Sequence, residues 1–444
     1  MKNYKLQDVY GITERPIKDC PTFVERNIHS KFKYSVESEN NHIIVYGASK
    51  QGKSWMVETY CPNFVRVGCD VKHTRETLFK SILLELGIKV GVINESQQSS
   101  LSGKMEGSIE TKIPLIPPIG KVTTTASATG ETSTADTFTY TNIDLTNETE
   151  VTNTISQHIN NKLIVIENFH YLKTEVQKSF AACLRNFLYH DIRVIIVGVW
   201  KETTKLVSYA SDLSGHCSYF DIGNWSVPEL TEIITKGDSA LNVYTSADIR
   251  TLFIQSSGYN IGIFKTILNN FCKEYDVYQT VQSSIFTPPK ALNDLGIAEK
   301  ALNDSASELI APVLERIHNL ATSKKSKTKG MRYHIVKGIL SLFAEEDDAY
   351  ATAGIPLQDI VDKVNASSNN AFDPSNIKQE LINLHLRSET GKGDKEMNVN
   401  LIPLFYFDAL KQNGTLYIVE SILFFAKRRN IDFKTLLGPI QNYI

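Results

Sequence analysis

The chain has 444 residues, 42% hydrophobic and 22% charged content and a formal net charge of −2, enough apolar matter for about two to four ordinary domains, which excludes a disordered or fibrous class. A near-neutral balance excludes a surface built throughout to coat nucleic acid and leaves local basic patches as the route to it. The first residues, MKNYKLQDVYGITERP, lack the apolar stretch of a secretory leader, and nothing approaches the ~20 apolar residues that cross a bilayer, so a cytoplasmic protein without membrane attachment is expected.

The most specific element comes early. Residues 42–56, HIIVYGASKQGKSWM, carry an apolar β-type pattern into a glycine loop ending Gly52-Lys53-Ser54 and then into a helix. This is a P-loop. Gly47 and Gly52 frame Ala48, Ser49, Lys50 and Gln51, so that backbone amides turn onto phosphate oxygens. Lys53 reaches the β/γ-phosphates, Ser54 offers a hydroxyl to Mg²⁺, and Trp55 continues the helix. ATP and Mg²⁺ are the cofactors this implies. A glycine turn that merely happens to carry Lys-Ser would lack the strand before it and the helix after it.

Residues 64–67 form a short second strand, and Leu78, Ile82, Leu83 and Leu86 give helical spacing over 74–86 with Gly87 as the stop. Between about 90 and 141 the composition turns to Ser, Thr, Gly and Pro, which suits either an inserted β-excursion or a disordered loop. A helix is expected over 147–159 and another over 174–189. The apolar runs 163–166 and 194–197 read as strands buried on both faces, flanking the P-loop strand, with an edge strand at 219–222. From about 227 to 278 strand character is lost and a helical lid follows, turning at Ser257-Gly258-Tyr259-Asn260. A long helix over 294–322 leads to the basic run SKKSKTKG, read as a solvated linker or a phosphate grip. Three short helices over 333–344, 355–364 and 375–386, then a hairpin of 401–407 and 415–419 around Asn413-Gly414, spell a winged helix.

The expected fold class is therefore α/β, a P-loop NTPase parallel sheet with a helical lid followed by a C-terminal winged-helix domain. The boundaries are a lead with an adenine-pocket segment at 1–40, a core at 41–224, a lid at 225–290, a helix and linker at 291–330 and the winged helix at 331–444. Six cysteines lie scattered without metal-ligand spacing and read as reduced thiols, so no zinc site is expected.

A nucleotide enzyme needs an acid at a strand tip beside the P-loop. The segment LIVIENFHYL, residues 163–172, places Glu167 and Asn168 there, where Asp-Glu is usual. In one register Glu167 joins Ser54 at the metal and Asn168 occupies the base position, where an amide orients water but cannot take its proton. Hydrolysis is then slow. In the other register Glu167 is the base, with His170 or Asp70 assisting the metal. His170 serves either the γ-phosphate and its water or the packing of the strand end.

On these residues the chain resembles the AAA+ and STAND group of P-loop ATPases, especially origin-recognition-like and bacterial STAND members, over roughly residues 21–275. Phe23-Val24-Glu25-Arg26 is similar to the segment under the adenine, which assigns Val24 and Arg26 to the nucleotide; a salt bridge is the other reading of Arg26. VIIVGVWKE, residues 194–202, is similar to the sensor 1 strand. The place of the trans-acting arginine is taken by His216 or its neighbours, and where a lid arginine is expected the nearest cation is Lys265. Without a guanidinium there, the resemblance implies a switch rather than a motor, controlling self-assembly as a homo-oligomer or docking of a partner protein. It also resembles uncharacterised bacterial ATPases, some associated with phage defence. The alternative is a DNA-binding regulator working through residues 331–444, where Asn376, Lys378, Gln379, Asn383 and Arg387 could read bases or phosphates, opposed by Glu380, Glu389 and nearby aspartates.

Overall fold

Runs of consecutive β-branched residues build the sheet that positions everything else. A computed structural model describes residues 2–13, 19–70, 72–90, 120–121, 139–141, 143–199, 209–223, 225–282, 289–322, 330–368, 372–390, 404–409 and 414–440. In chain order the first half comprises α1 (Leu6–Tyr10), α2 (Asn27–Ser38), β1 (His42–Tyr46), α3 (Lys53–Tyr60), β2 (Phe64–Gly68) and α4 (Arg75–Glu85). Then come β3 (Ile88–Val90), β4 (Gly120–Lys121), β5 (Thr139–Thr141), α5 (Glu148–His158), β6 (Leu163–Glu167), α6 (Thr174–Tyr189), β7 (Val194–Val197) and β8 (Cys217–Asp221). Helix ends follow local chemistry: Thr74 and Asn147 cap α4 and α5 through side-chain oxygens, and Gly87 turns left-handed after α4.

Five of these strands form a parallel sheet in the order β2-β6-β7-β1-β8. This corrects the expected arrangement. β7 lies between β1 and β6, so the strand carrying Glu167 is one removed from the P-loop strand, and β8 is the edge on its other side. Alternate residues divide the core into two layers. Ile44, Val65, Ile164, Ile166 and Ile196 pack under α4, α5 and α6, while Ile43, Val45, Val165, Ile195 and Val197 pack with Phe32, Met56 and Val57 of α2 and α3. Within the expected insertion, the described residues are strands: β3, β5 and β4 make a small three-stranded sheet. The rest of 91–138 lies outside the described residues.

The lid contains α7 (Val227–Leu241), α8 (Ala247–Ser257) and α9 (Ile261–Glu274), with one departure: β9 (Val243–Thr245) pairs in parallel with β10 (Lys290–Leu292). The N-terminal lead is part of this unit, because Leu6, Val9, Tyr10 and Val24 are buried in its core. Helix α10 (Leu295–Ala321) spans two cores: Ala298 through Leu309 pack in the lid, and Ile310 through Ala321 pack in the C-terminal unit. That unit holds α11 (Met331–Glu345), α12 (Asp348–Ala353), β11 (Ile355–Pro356), α13 (Leu357–Ser368), α14 (Pro374–Thr390), β12 (Phe405–Asp408), β13 (Thr415–Ile418) and α15 (Ser421–Arg428). β12 and β13 pair as an antiparallel hairpin, and β11 joins the far side of β13, so Ile355 opens a strand rather than a helix. Residues 323–329 of the basic run, like residues 200–208 after β7, lie outside the described residues. Among the described residues no helix is long and apolar enough to cross a membrane.

His42, at the start of β1, stitches this core together. Its Nε2–H donates to Leu184 O at 2.8 Å, and its Nδ1 accepts from Val194 N at 3.1 Å, so one neutral ring joins β1, α6 and β7. Burial pulls its pKa down to about 4. The unfolded chain takes up a proton near pH 6.5 that the folded ring refuses until about pH 4, so this contribution to stability is complete above pH 6.5 and declines as pH falls through that window. Urea unfolding from pH 7.5 to 4.5 is expected to show His42→Gln with a flatter pH profile than the parent, the gap amounting to on the order of 3 kcal/mol; parallel profiles would refute the assignment.

Candidate nucleotide-binding site

The loop after β1 is shaped by three left-handed positions, Gly47 at φ 137°, Lys50 at φ 60° and Gly52 at φ 92°. A side chain at Gly47 would also meet the Gly223 amide at 3.3 Å, so glycine is needed there on two counts. Every carbonyl from Gly47 to Gly52 is occupied by a protein donor. Lys53 Nζ donates to Gly47 O at 3.0 Å and Ala48 O at 2.6 Å; Asn260 Nδ2 donates to Ser49 O at 3.3 Å, Gly262 N to Lys50 O at 3.1 Å, and Trp225 Nε1 to Gln51 O at 3.4 Å. Met56 N takes Gly52 O at 3.0 Å as the first bond of α3. Among the described residues, no amide from Ala48 to Ser54 has a protein acceptor. With its carbonyls all paired and its amides unclaimed, the loop and the N-terminus of α3 offer free N–H groups to whatever sits in the hollow.

Lys53 is buried, and burial pulls its pKa down to about 8, with Glu167 and Asp221 holding it up from either side. Asp221 carries no motif and escaped sequence reading; it stands at the tip of β8, where its Oδ1 accepts from Gly223 N at 2.8 Å. On the other flank Ser54 Oγ donates to Glu167 Oε2 at 3.0 Å, which brings together the two residues expected at the metal even though β7 intervenes in the sheet. Burial raises the Glu167 pKa, and the hydrogen bond from Ser54 is the largest of the effects opposing it. Arg66, on β2, lies 3.9 Å from Glu167 Oε1 and is paired on its other side with Glu58.

The remaining expected residues divide. Asn168 is exposed and left-handed (φ 58°), at the strand tip beside Glu167. His170 is buried with Nδ1 accepting from Val199 N at 3.2 Å, so it holds the end of the β7 strand, the packing alternative. Arg26 is a correction: its Nε pairs with Glu229 at 3.1 Å, its Nη1 donates to Ile222 O at 3.0 Å, and its plane lies 4.4 Å from the Trp225 ring centroid. It is not among the residues lining the cavity beside the P-loop. A buried guanidinium with a carboxylate and a carbonyl in reach is spoken for. His216 lies at the end of the sheet opposite the P-loop, its carbonyl accepting from His42 N.

That cavity spans about 770 Å³ when its open mouth and the solvent in it are counted. Ile12, Val24, Trp55 and Ile261 give it apolar walls, and Lys50 to Gly52 form its P-loop edge, so Val24, Lys50, Gln51, Gly52 and Trp55 are brought together as expected. Trp55 is anchored by Nε1 donating to Thr13 O at 3.1 Å, which draws the N-terminal lead over the site. His29 lines the same wall; burial lowers its pKa to about 4, and its Nδ1 accepts from Arg26 N at 3.2 Å.

Several solved structures are similar to this chain over most of its length. A Walker-type ATPase of Pyrococcus abyssi is similar over 91% of this chain and 96% of its own, at 12% identity and a TM-score of 0.49. The Aeropyrum pernix ORC1 protein, solved in complex with DNA, is similar over 96% and 97% at 9% identity and a TM-score of 0.40. A STAND protein with a tetratricopeptide repeat sensor from Pyrococcus horikoshii is similar over 92% of this chain and 43% of its own, at 11% identity and a TM-score of 0.34. Likenesses this distant carry no argument about this chain. No family model matches the chain, and no curated protein does.

Asn260, which sequence reading placed only in a turn, reaches the P-loop. Its Oδ1 caps α9 by accepting from Gly262 N at 2.9 Å and Ile263 N at 3.1 Å, while its Nδ2 bridges Ser49 O and Ser421 Oγ at 3.0 Å. An asparagine before a helix is a cap signal; the P-loop it would reach was not legible. Asn260→Ala is expected to lower stability by about 1–2 kcal/mol through the lost cap, and to weaken nucleotide binding beyond any effect of capping. Asn260→Ser, which keeps a cap oxygen but loses the bridging amide, separates the two in calorimetric titration; full affinity in both variants would show that the bridge is idle.

Proposed function

We propose that this protein is an ATP-binding, Mg²⁺-dependent switch of the AAA+/STAND kind with slow hydrolysis, whose nucleotide state is passed through the lid to a C-terminal winged helix governing self-assembly or docking. The observation that carries the reading is the polarity of the P-loop, its carbonyls paired with protein donors and its amides from Ala48 to Ser54 unclaimed among the described residues, beside a buried lysine. Such a hollow suits a triphosphate tail. Ser54 and Glu167, 3.0 Å apart, are the hard oxygen donors that fit Mg²⁺, which when bound there would neutralise phosphate charge.

The chain's own residues set the rate. Lys53 anchors phosphate oxygens, and Asn168 orients water at the strand tip without taking a proton from it. Arg66 draws on the Glu167 carboxylate, competing with any second role for it as base. A route from lid to C-terminal unit supports the switch. Asn260 bridges the P-loop to Ser421 at the start of α15, and the neighbouring Glu420 is buried, pairing with Arg316 of α10 at 3.4 Å. The resemblance to defence-associated ATPases supports a setting in antiviral defence.

A DNA-binding role through α14 has one observation in its favour. Glu380, which would oppose phosphate, is buried and bonded to Arg332 at 2.7 Å, and it also accepts from Asn383 at 3.2 Å, leaving Asn376 and Gln379 exposed on that helix. Asn383 is thereby withdrawn from the set of base-reading candidates. Binding to DNA that falls steeply with salt would establish this role, whereas a particle mass that changes between ADP and ATP and ignores DNA would establish the assembler.

Two variants test the leading reading. Lys53→Ala should abolish ATP affinity in calorimetric titration while leaving thermal unfolding near the parent's, and unchanged binding would remove its basis. Asn168→Glu should raise phosphate release by at least tenfold, the low end of what a positioned base contributes; turnover no faster than the parent's would mean that the base position is elsewhere.

A further inference from the structure

Lys265 stands one turn beyond Ile261 and Gly262 on α9, the helix whose N-terminus grips the P-loop. It lines the cavity, with its ammonium 5.4 Å from the centroid of the Trp55 ring. Among the described residues it has no carboxylate partner and no hydrogen-bond acceptor. Burial lowers its pKa. The side chain is half-buried at the open cavity, so its three N–H donors, held over an indole face without a protein acceptor among the described residues, are available to an acceptor that enters the cavity. The position within the cavity says which part of a nucleotide brings that acceptor. Its P-loop edge runs from Lys50 to Gly52 and on to Trp55 and Met56, while Lys53, Ser54 and Glu167, the groups for the terminal phosphates, do not line it.

We propose that Lys265 is a nucleoside-reading residue: its ammonium donates to an acceptor in the nucleoside monophosphate half of the ligand, so that the lid engages ADP and ATP alike and is indifferent to the third phosphate. This deepens the nucleotide reading above and rests on it. Discrimination between ATP and ADP is then left to the opposite end of the site, at Lys53, Ser54 and Glu167.

The test is calorimetric titration of the full chain with ATP, ADP and GDP, comparing the parent with Lys265→Met, which keeps the stem packed on Trp55, and Lys265→Arg, which restores donors. Lys265→Met should lose on the order of 10-fold to 100-fold in affinity for ATP and for ADP by the same factor, the effect of a lost charged hydrogen bond, with partial recovery in Lys265→Arg. An equal loss for GDP would assign the contact to ribose or α-phosphate oxygens, and a loss confined to ADP and ATP would assign it to the base; either supports the proposal. Loss for ATP with ADP untouched would make Lys265 a sensor of the third phosphate, and no loss for either would make it a solvated lysine; each overturns it. Failure of the parent to bind ATP or ADP is a separate result, which removes the nucleotide reading itself. Thermal unfolding of each variant checks the fold, and Lys265→Gln serves in place of Lys265→Met if the latter unfolds early.

Discussion

The orientation of six consecutive peptide groups is the constraint on which this molecule depends. A chain of formal charge −2 has no general excess of cations with which to attract an anion, so the hollow relies on Lys53 together with dipoles held in register. Amides can be left open to a ligand only if the carbonyls of the same peptides are satisfied within the protein. Here the carbonyls of Gly47 and Ala48 take Lys53, and those of Ser49, Lys50 and Gln51 take Asn260, Gly262 and Trp225 from the segment after β8. The phosphate hollow is thus a joint product of the core and the lid.

That dependence gives the lid leverage. Any shift of α9 and its cap alters two of the bonds that fix the loop, and Asn260 extends the same linkage to Ser421. Helix α10 adds a mechanical connection, because a single rod is packed into the lid core at one end and the C-terminal core at the other. Where its second half meets Glu420, the carboxylate is taken from water and its pKa is raised by burial, with Arg316 as the largest opposing influence. A buried pair of this kind adds little net stability but tolerates few alternative arrangements, which suits a joint that must be made or broken as a unit.

The acid side of the site is shared rather than dedicated. Glu167 is offered a hydroxyl by Ser54 on one oxygen and faces Arg66 on the other, while Arg66 is itself held by Glu58. The hydroxyl from α3 fixes one oxygen of the carboxylate, while the other faces Arg66 of β2 at 3.9 Å without a hydrogen bond among the described residues.

What sequence alone determined was local. The P-loop was legible because its strand, glycines and helix are contiguous, and the buried strands because four apolar residues in a row have few other uses. Most helix limits followed from caps and 3.6-residue spacing, as at Thr74, Asn147 and Asp294. Strand order was decided only in three dimensions, since nothing within Val194 to Val197 says that it slips between β1 and β6. The short strands Val243–Thr245 and Ile355–Pro356 exist by virtue of distant partners. The fates of single polar residues were decided there too: Arg26 went to Glu229, 203 positions away, and Glu380 went into the core with Arg332, 48 positions away. A charged side chain at helical spacing looks the same whether it meets water or a buried partner, and only packing settles which desolvation is compensated.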